Sequence, residues 1–128
     1  MMTGMDVLGI GVDLVDVRRV ERILDRHPTF VPRVFTPNEI AYCERQAHPA
    51  ESFAARWAAR EACRKALGGI RGMRWQDVWV DRAPSGAPAI GLAGASKDRA
   101  DALGASRVLV ALTHERQMAA AFCLAVRD

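Results

Sequence analysis

Four polar side chains have types and positions that could support chemistry. Asp13 ends an apolar segment, Glu61 and Lys65 lie four residues apart in WAAREACRKAL, and His114 follows a second apolar segment. Two carboxylates on separate elements can hold Mg²⁺, which completes its octahedron with waters and substrate phosphate oxygens. The same residues also fit a plain Glu61–Lys65 ion pair and a structural histidine, so the residues by themselves leave both interpretations open.

The segment that carries Glu61 predicts a helix from about Ala50 to Leu67, ended by Gly68 and Gly69. Phe53, Trp57, Glu61 and Lys65 recur every four residues and therefore share one face. Because a face that begins with two large aromatics is normally directed inward, we expect Glu61 and Lys65 to be partly sheltered at its end. Charged groups held there need partners or a metal.

The segment that carries Asp13 predicts a strand over Val7 to Val12. Gly9, Gly11 and Asp13 lie on one face of this strand, so Asp13 ends it on a face cleared by glycines. Apolar residues recur with helical spacing from Val15 to His27, and arginines fill the positions between them. A strand followed by an arginine-rich amphipathic helix is therefore expected.

The rest of the chain predicts alternating short elements. They are a helix capped by Thr36 and ending near Arg45, a hairpin of Asp77–Asp81 and Ala87–Leu92, a helix over Ala95–Leu103, and two apolar strands, Arg107–Thr113 and Ala119–Val126. With 128 residues and 14.0 kDa, the chain is expected to form one domain over residues 1–128.

Composition narrows the function classes. No apolar run reaches the roughly 20 residues of a membrane helix, and the start lacks a secretion signal, so we expect a cytoplasmic protein without a membrane partner. Cys43, Cys63 and Cys123 have no metal-ligand spacing and are expected to be reduced, buried thiols. The net charge of +3 is mild. Few aromatics and no RNA-binding signature argue against a nucleic-acid partner.

Arginine is concentrated in two regions, each of which suits an anionic partner. These regions contain Arg18, Arg19, Arg22, Arg26 and Arg33 in the first, and Arg56, Arg60 and Arg64 in the second. On the long helix, the second group could meet phosphate or could form a solvated face.

Three segments together resemble the bacterial holo-(acyl-carrier-protein) synthase family, the small group of 4′-phosphopantetheinyl transferases. They are GIGVDLVDVRRVERI, then FVPRVFTPNEIAYC with SFAARWAAREACRKALG, and finally VLVALTHERQMAAAF. They occur in the family's order over nearly the whole chain, and the aspartate segment combined with the WAA(K/R)EAxxKAL helix is the most specific feature. The resemblance implies an α+β fold with an antiparallel sheet packed against a long central helix. It also implies a homotrimer with active sites at subunit interfaces.

The implied reaction transfers 4′-phosphopantetheine from coenzyme A to a serine of apo-acyl carrier protein and releases adenosine 3′,5′-bisphosphate, in fatty acid or polyketide biosynthesis. Asp13 and Glu61 match the two Mg²⁺ ligands. Lys65 matches a phosphate-binding lysine and His114 a histidine near the nucleotide, and both are counted with the catalytic residues. Either Glu61 or a metal-bound water would act as the base, with Glu115 a more distant candidate.

The resemblance also implies binding positions around these residues. Those matched to coenzyme A binding are Arg60, Lys65, Gly68, Thr113 and His114, and those matched to the acidic helix of the carrier protein are Arg19, Arg26 and Arg33. The sequence departs from the family pattern at Arg60, Ala87 and Ala111, where lysine, lysine and serine are usual. These departures bear on coenzyme A affinity. A non-catalytic basic module and a Mg²⁺-dependent phosphohydrolase are the alternative hypotheses.

Overall fold

The computed structural model describes residues 4–128 as strands and helices in an α+β arrangement. In chain order they are β1 (Asp6–Asp16), α1 (Val17–Arg26), α2 (Phe30–Val34), α3 (Pro37–Glu44), α4 (Pro49–Ala66), a 3₁₀ turn (Trp75–Asp77), β2 (Val78–Arg82), β3 (Pro88–Leu92), α5 (Gly94–Leu103), β4 (Arg107–His114) and β5 (Met118–Arg127). No helix between residues 4 and 128 is both long enough and apolar enough to cross a membrane.

The main sheet is antiparallel with strand order β1-β5-β4, and β2 pairs with β3 in a separate hairpin. Asp13 pairs with Ala121, which pairs with Leu112 on the other side. Two residue pairs further along, His114 pairs with Ala119. Because alternate residues point to opposite faces, Asp13 and His114 lie on the same face of the sheet, but on its two outer strands.

Helix α4 packs on the sheet face that carries Asp13 and His114, which is the inner face of the sheet. Its backbone comes very close to that of β1. A Cβ atom added at Gly9 would lie 1.9 Å from the Ala66 carbonyl oxygen, and one added at Gly11 would lie 1.9 Å from the Ala62 carbonyl oxygen. The strand therefore needs glycine at both positions, because no side chain fits between the two backbones. This contact fixes the helix against the strand that carries Asp13.

The outer face of the same sheet is apolar and exposed. Ile10 and Leu14 retain 60% and 66% exposure, and Val12 and Phe122 are also exposed. Such a contiguous apolar surface is typical of a protein contact.

Most predicted elements are confirmed within one or two residues, with two kinds of difference. Strand β1 continues past the predicted end at Val12 to Asp16, because Asp13 to Asp16 stay paired with β5; Asp13 therefore lies inside the strand. Helix α1 accordingly begins at Val17, where Asp16 caps it, instead of at Val15. Helix α2 was not predicted, since its five residues FVPRV are too few to show a helical period.

Candidate active site

Asp13, Glu61 and Lys65 come together where the end of α4 crosses β1. The Lys65 Nζ atom donates to Asp13 Oδ1 at 3.2 Å and to the Val12 carbonyl oxygen at 3.2 Å. Asp13 and Glu61 both line one cavity of about 600 Å³. The predicted pairing of a strand carboxylate with a helix carboxylate therefore corresponds to one concave site.

Each carboxylate in this site has one oxygen in an ion pair. Asp13 uses Oδ1 for Lys65, and Glu61 uses Oε2 for Arg64 Nη2 at 3.0 Å. The other oxygen of each group, Asp13 Oδ2 and Glu61 Oε1, has no hydrogen bond to residues 4–128. Two partly buried carboxylate oxygens thus remain available to a ligand, with positive charge on both sides.

Three aromatic side chains form part of the wall of this cavity. Phe30, Trp57 and Trp75 lie along it, with ring centroids 5.6 Å apart for Phe30–Trp57 and 4.5 Å apart for Trp57–Trp75. Arg19 of α1 also borders the cavity. Sequence reasoning included Arg19 but missed Phe30 and Trp75, whose positions outside the periodic segments gave no signal.

His114 does not join this group within the chain. Its Nδ1 atom lies 2.9 Å from Glu51 Oε1, in the first turn of α4. Glu51 and Glu61 are ten residues apart on the same helix, so these two positions are separated by about 15 Å along its axis. One chain therefore brings together three of the four predicted catalytic residues and holds the fourth near the opposite end of α4.

The other predicted coenzyme A positions have different surroundings. Gly68 ends α4 with φ at +74°, and its N–H donates to the Lys65 carbonyl oxygen at 3.0 Å, so glycine is required there for backbone reasons. Thr113 is exposed on the sheet face opposite to His114. Glu115, the distant candidate for a base, instead accepts the N–H groups of Gln117 and Met118, both at 3.2 Å.

Arg60 does not offer its charge to a ligand in this structure, contrary to the predicted role in coenzyme A binding. It is fully buried, and its Nη1 and Nη2 atoms donate to Glu39 at 2.9 and 2.5 Å. Its Nε atom donates to the Trp75 carbonyl oxygen at 2.9 Å. The physical reason is Glu39, a buried carboxylate on α3, whose charge requires a cation in the core.

The three α4 arginines together form neither the phosphate-binding face nor the solvated face that the sequence left open. Arg56 is also buried, with its guanidinium 4.3 Å from the centre of the Tyr42 ring, and Arg64 alone of the three is half-exposed. By contrast, Arg19, Arg26 and Arg33 are all exposed, although Arg33 lies on α2 and not on α1. These three residues form what we call the α1–α2 arginines.

The three cysteines are buried free thiols, as predicted. Burial raises the pKa of Cys43 to about 11 and the pKa of both Cys63 and Cys123 to about 12. Burial therefore favours the neutral thiol at neutral pH, and the thiolate is the nucleophilic form, so these residues have the character of core thiols.

Comparison with known proteins identifies the class to which this fold and site belong. The model of the 4′-phosphopantetheinyl transferase superfamily matches residues 9–123, which is most of the chain. A holo-(acyl-carrier-protein) synthase from Anaeromyxobacter sp. (strain K) is 46% identical over 119 residues, covering 90% of this chain and 92% of that protein. The chain belongs to the holo-(acyl-carrier-protein) synthase family and is a transferase.

Solved structures of this family have the same fold. The holo-ACP synthase of Plasmodium yoelii superposes with a TM-score of 0.85 at 28% identity, covering 98% of this chain and 99% of that one. The Helicobacter pylori holo-(acyl-carrier-protein) synthase, solved in complex with coenzyme A, gives a TM-score of 0.76 at 29% identity, covering 91% and 98%. The α+β fold with antiparallel sheets is thus that of the family.

Proposed function

We propose that this protein transfers 4′-phosphopantetheine from coenzyme A to a serine of apo-acyl carrier protein, releasing adenosine 3′,5′-bisphosphate, and so supports fatty acid or polyketide biosynthesis in the cytoplasm. The observation that carries the proposal is the pair Asp13 and Glu61 on one cavity, with Lys65 and Arg19 beside them. Carboxylates next to cations suit a substrate that is a pyrophosphate held through a metal.

The donor set in this cavity fits Mg²⁺. Both groups are carboxylates, each with one oxygen outside its ion pair, and Mg²⁺ prefers oxygen ligands from one or two carboxylates plus water and substrate phosphate. No cluster of three or more His, Cys, Asp or Glu side chains suited to a metal occurs among residues 4–128. Asp13 and Glu61 would hold the ion, and when bound it would supply positive charge to the pyrophosphate of coenzyme A.

The residues around this pair have complementary roles in the proposed transfer. Lys65 would bind a phosphate oxygen, since its Nζ atom lies 3.2 Å from Oδ1 of Asp13, which lines the cavity. The carrier serine must lose its proton as it attacks the phosphorus atom, and either Glu61 or a water molecule would receive it. Because α4 is fixed against Gly9 and Gly11, these groups are held rigidly, which favours an in-line displacement.

The position of His114 supports a site shared between subunits. The Asp13 half of the site lies on outer strand β1 and His114 on outer strand β4, which supports a site completed by a second copy. A cyclic assembly that joins the β1 side of one copy to the β4 side of the next would unite them. Burial of the exposed apolar face of the main sheet would stabilise this assembly, which we propose is a homotrimer of single-domain chains.

Mixing two inactive variants tests this shared site. Asp13→Ala and His114→Ala chains, co-refolded in equal amounts, should regain about a quarter of wild-type activity, since each restored site needs Asp13 from one parent and His114 from the other. Sedimentation should give the mass of three chains. A trimer in which mixing restores nothing would contradict the shared site, and a fully active monomer would contradict the assembly itself.

The carrier protein is expected to dock on the α1–α2 arginines. Arg19 borders the cavity, and Arg26 and Arg33 are exposed farther along the surface, so an acidic helix could be guided towards the site by charge. Such exposed pairs are individually weak and are screened by salt.

Intact-mass spectrometry tests the reaction directly. Apo-acyl carrier protein, coenzyme A and Mg²⁺ are incubated with the enzyme, and a carrier mass increased by one phosphopantetheine supports the proposal. Release of nucleotide without a mass increase would instead indicate a phosphohydrolase, and neither change would indicate a non-catalytic binding module. Repeating the assay with fatty-acid and polyketide carriers would identify the physiological partner.

A further inference from the structure

The contact between Glu51 and His114 joins the first turn of α4 to the end of β4, and no sequence motif predicts it. Glu51 Oε1 lies 2.9 Å from His114 Nδ1, and the Glu51 side chain is 12% exposed whereas that of His114 is 42% exposed. The carboxylate is thus mostly shielded from water, and its hydrogen-bond partner within residues 4–128 is the imidazole. The imidazole keeps its outer edge open to solvent.

We propose that Glu51 is a positioning residue that fixes both the tautomer and the orientation of His114. An ionised carboxylate can only accept hydrogen bonds, so the ring nitrogen that faces it, Nδ1, must carry a proton. The other nitrogen, Nε2, then points away from Glu51 and is the atom available to a ligand. The effect of Glu51 on catalysis rests on the proposed function. Its effect on the tautomer and orientation of His114 does not.

The neighbouring charged groups do not compete for this role. Glu115, next in sequence to His114, already accepts the backbone N–H groups of the β4–β5 turn. Glu51 approaches from α4, which is packed on the sheet, so its position is set by the core and not by the turn. A half-exposed imidazole at a strand end would otherwise sample several rotamers, and a single fixed hydrogen bond removes that freedom.

In the proposed trimer, a pre-oriented Nε2 atom would face the Asp13 half of the neighbouring site. There it would contact the phosphate groups of the coenzyme, and binding would not carry the entropy cost of ordering the imidazole ring. A different explanation for Glu51 is that an acid in the first turn simply favours the positive end of the helix dipole. That explanation predicts a change in stability and no change at His114.

Nuclear magnetic resonance separates the two explanations without an activity measurement. Long-range ¹H–¹⁵N spectra of the full-length protein, recorded at the alkaline end of each histidine titration, report which ring nitrogen holds the proton. We expect the Nδ1–H tautomer for His114 in the wild type, and a shift towards Nε2–H in Glu51→Ala. The exposed His27 is an internal control, and Asp98→Asn is a matched control that removes one surface charge from a helix without touching a histidine.

Kinetics then test the catalytic consequence. Glu51→Ala should lower kcat/KM for coenzyme A about tenfold, or about 1.4 kcal/mol, and leave KM for the carrier unchanged. Glu51→Gln, which retains an acceptor oxygen, should stay within about threefold of the wild type. In a His114→Ala background, Glu51→Ala should have almost no further effect.

An unchanged His114 tautomer in Glu51→Ala, or additive kinetic losses in the double variant, would overturn the positioning role. If the wild type transfers no phosphopantetheine at all, the proposed function fails, but the spectra still decide whether Glu51 sets the tautomer. Unfolding midpoints of all variants would show whether any loss arises from destabilisation.

Discussion

Replacing Glu39 with alanine should be among the most destabilising single changes in this protein. Its carboxylate accepts hydrogen bonds from the backbone N–H of Thr36 at 2.9 Å and from that of Val80 at 3.0 Å. It also accepts hydrogen bonds from both terminal nitrogens of Arg60. The change would leave two N–H groups and a fully buried guanidinium without their acceptor. Breaking a buried ion pair in this way costs about 3–5 kcal/mol, because the remaining charge stays desolvated.

Urea unfolding measures this loss. With a slope near 2 kcal/mol per molar for a small domain, a loss of about 4 kcal/mol should move the midpoint down by about 2 M. The matched control is Asp101→Ala, which breaks an exposed pair with Lys97 and should cost no more than about 0.5 kcal/mol. If Glu39→Ala costs less than about 1 kcal/mol with an unchanged slope, the buried pair is not a stabilising element and our reasoning is wrong.

A double variant separates the pair from its surroundings. Replacing Glu39 and Arg60 together with methionine removes both charges and retains apolar volume, and such swaps are often close to neutral. The double variant should therefore be more stable than Glu39→Ala, although the two backbone N–H groups still lack their acceptor. If the double variant is as unstable as Glu39→Ala, the whole loss of unfolding free energy arises from the two backbone N–H groups and not from the unpaired charge.

Four further predictions concern the site and its support. Asp13→Asn and Glu61→Gln should each reduce phosphopantetheine transfer at least a hundredfold with an unchanged unfolding midpoint, and near wild-type rates at limiting Mg²⁺ would contradict the metal role. Lys65→Ala should raise KM for coenzyme A and not KM for the carrier. In a two-substrate titration, a raised KM for the carrier with an unchanged KM for coenzyme A would instead place Lys65 on the carrier side of the site. Arg19→Glu should raise KM for the carrier about tenfold at low salt, or about 1.4 kcal/mol, and the effect should vanish at high salt, whereas parallel salt curves would exclude docking there. Gly11→Ala should lose about 1–3 kcal/mol or more in urea unfolding, because its Cβ would overlap the Ala62 carbonyl, and equal stability would show that α4 can shift.

The sequence predicts this fold well where the signal is local, and it indicates which faces carry the candidate site residues. The alternation of Gly9, Gly11 and Asp13 and the spacing of Trp57, Glu61 and Lys65 are periodic, so they indicate faces directly. In the structure these two faces meet where Asp13 and Glu61 line one cavity.

The failures involve contacts between residues far apart in the chain. The Glu39–Arg60 pair spans 21 residues and Glu51–His114 spans 63, and nothing in either segment indicates its partner. An arginine on a helix is usually solvated, so only the presence of a buried carboxylate on α3 reverses that expectation for Arg60. The separation of His114 from Glu61 depends on the strand order of the sheet, which hydrophobic periodicity does not specify.

Coenzyme A itself ends in a thiol, so the burial of the protein's three thiols affects whether the two can exchange disulfides. An exposed cysteine near a bound coenzyme A disulfide would invite thiol–disulfide exchange, and the enzyme would be trapped as a mixed disulfide with its own substrate. Attack requires a thiolate and access, and Cys43, Cys63 and Cys123 offer neither. The folded enzyme should therefore tolerate oxidised coenzyme A pools, and only its unfolded chain would be captured by them.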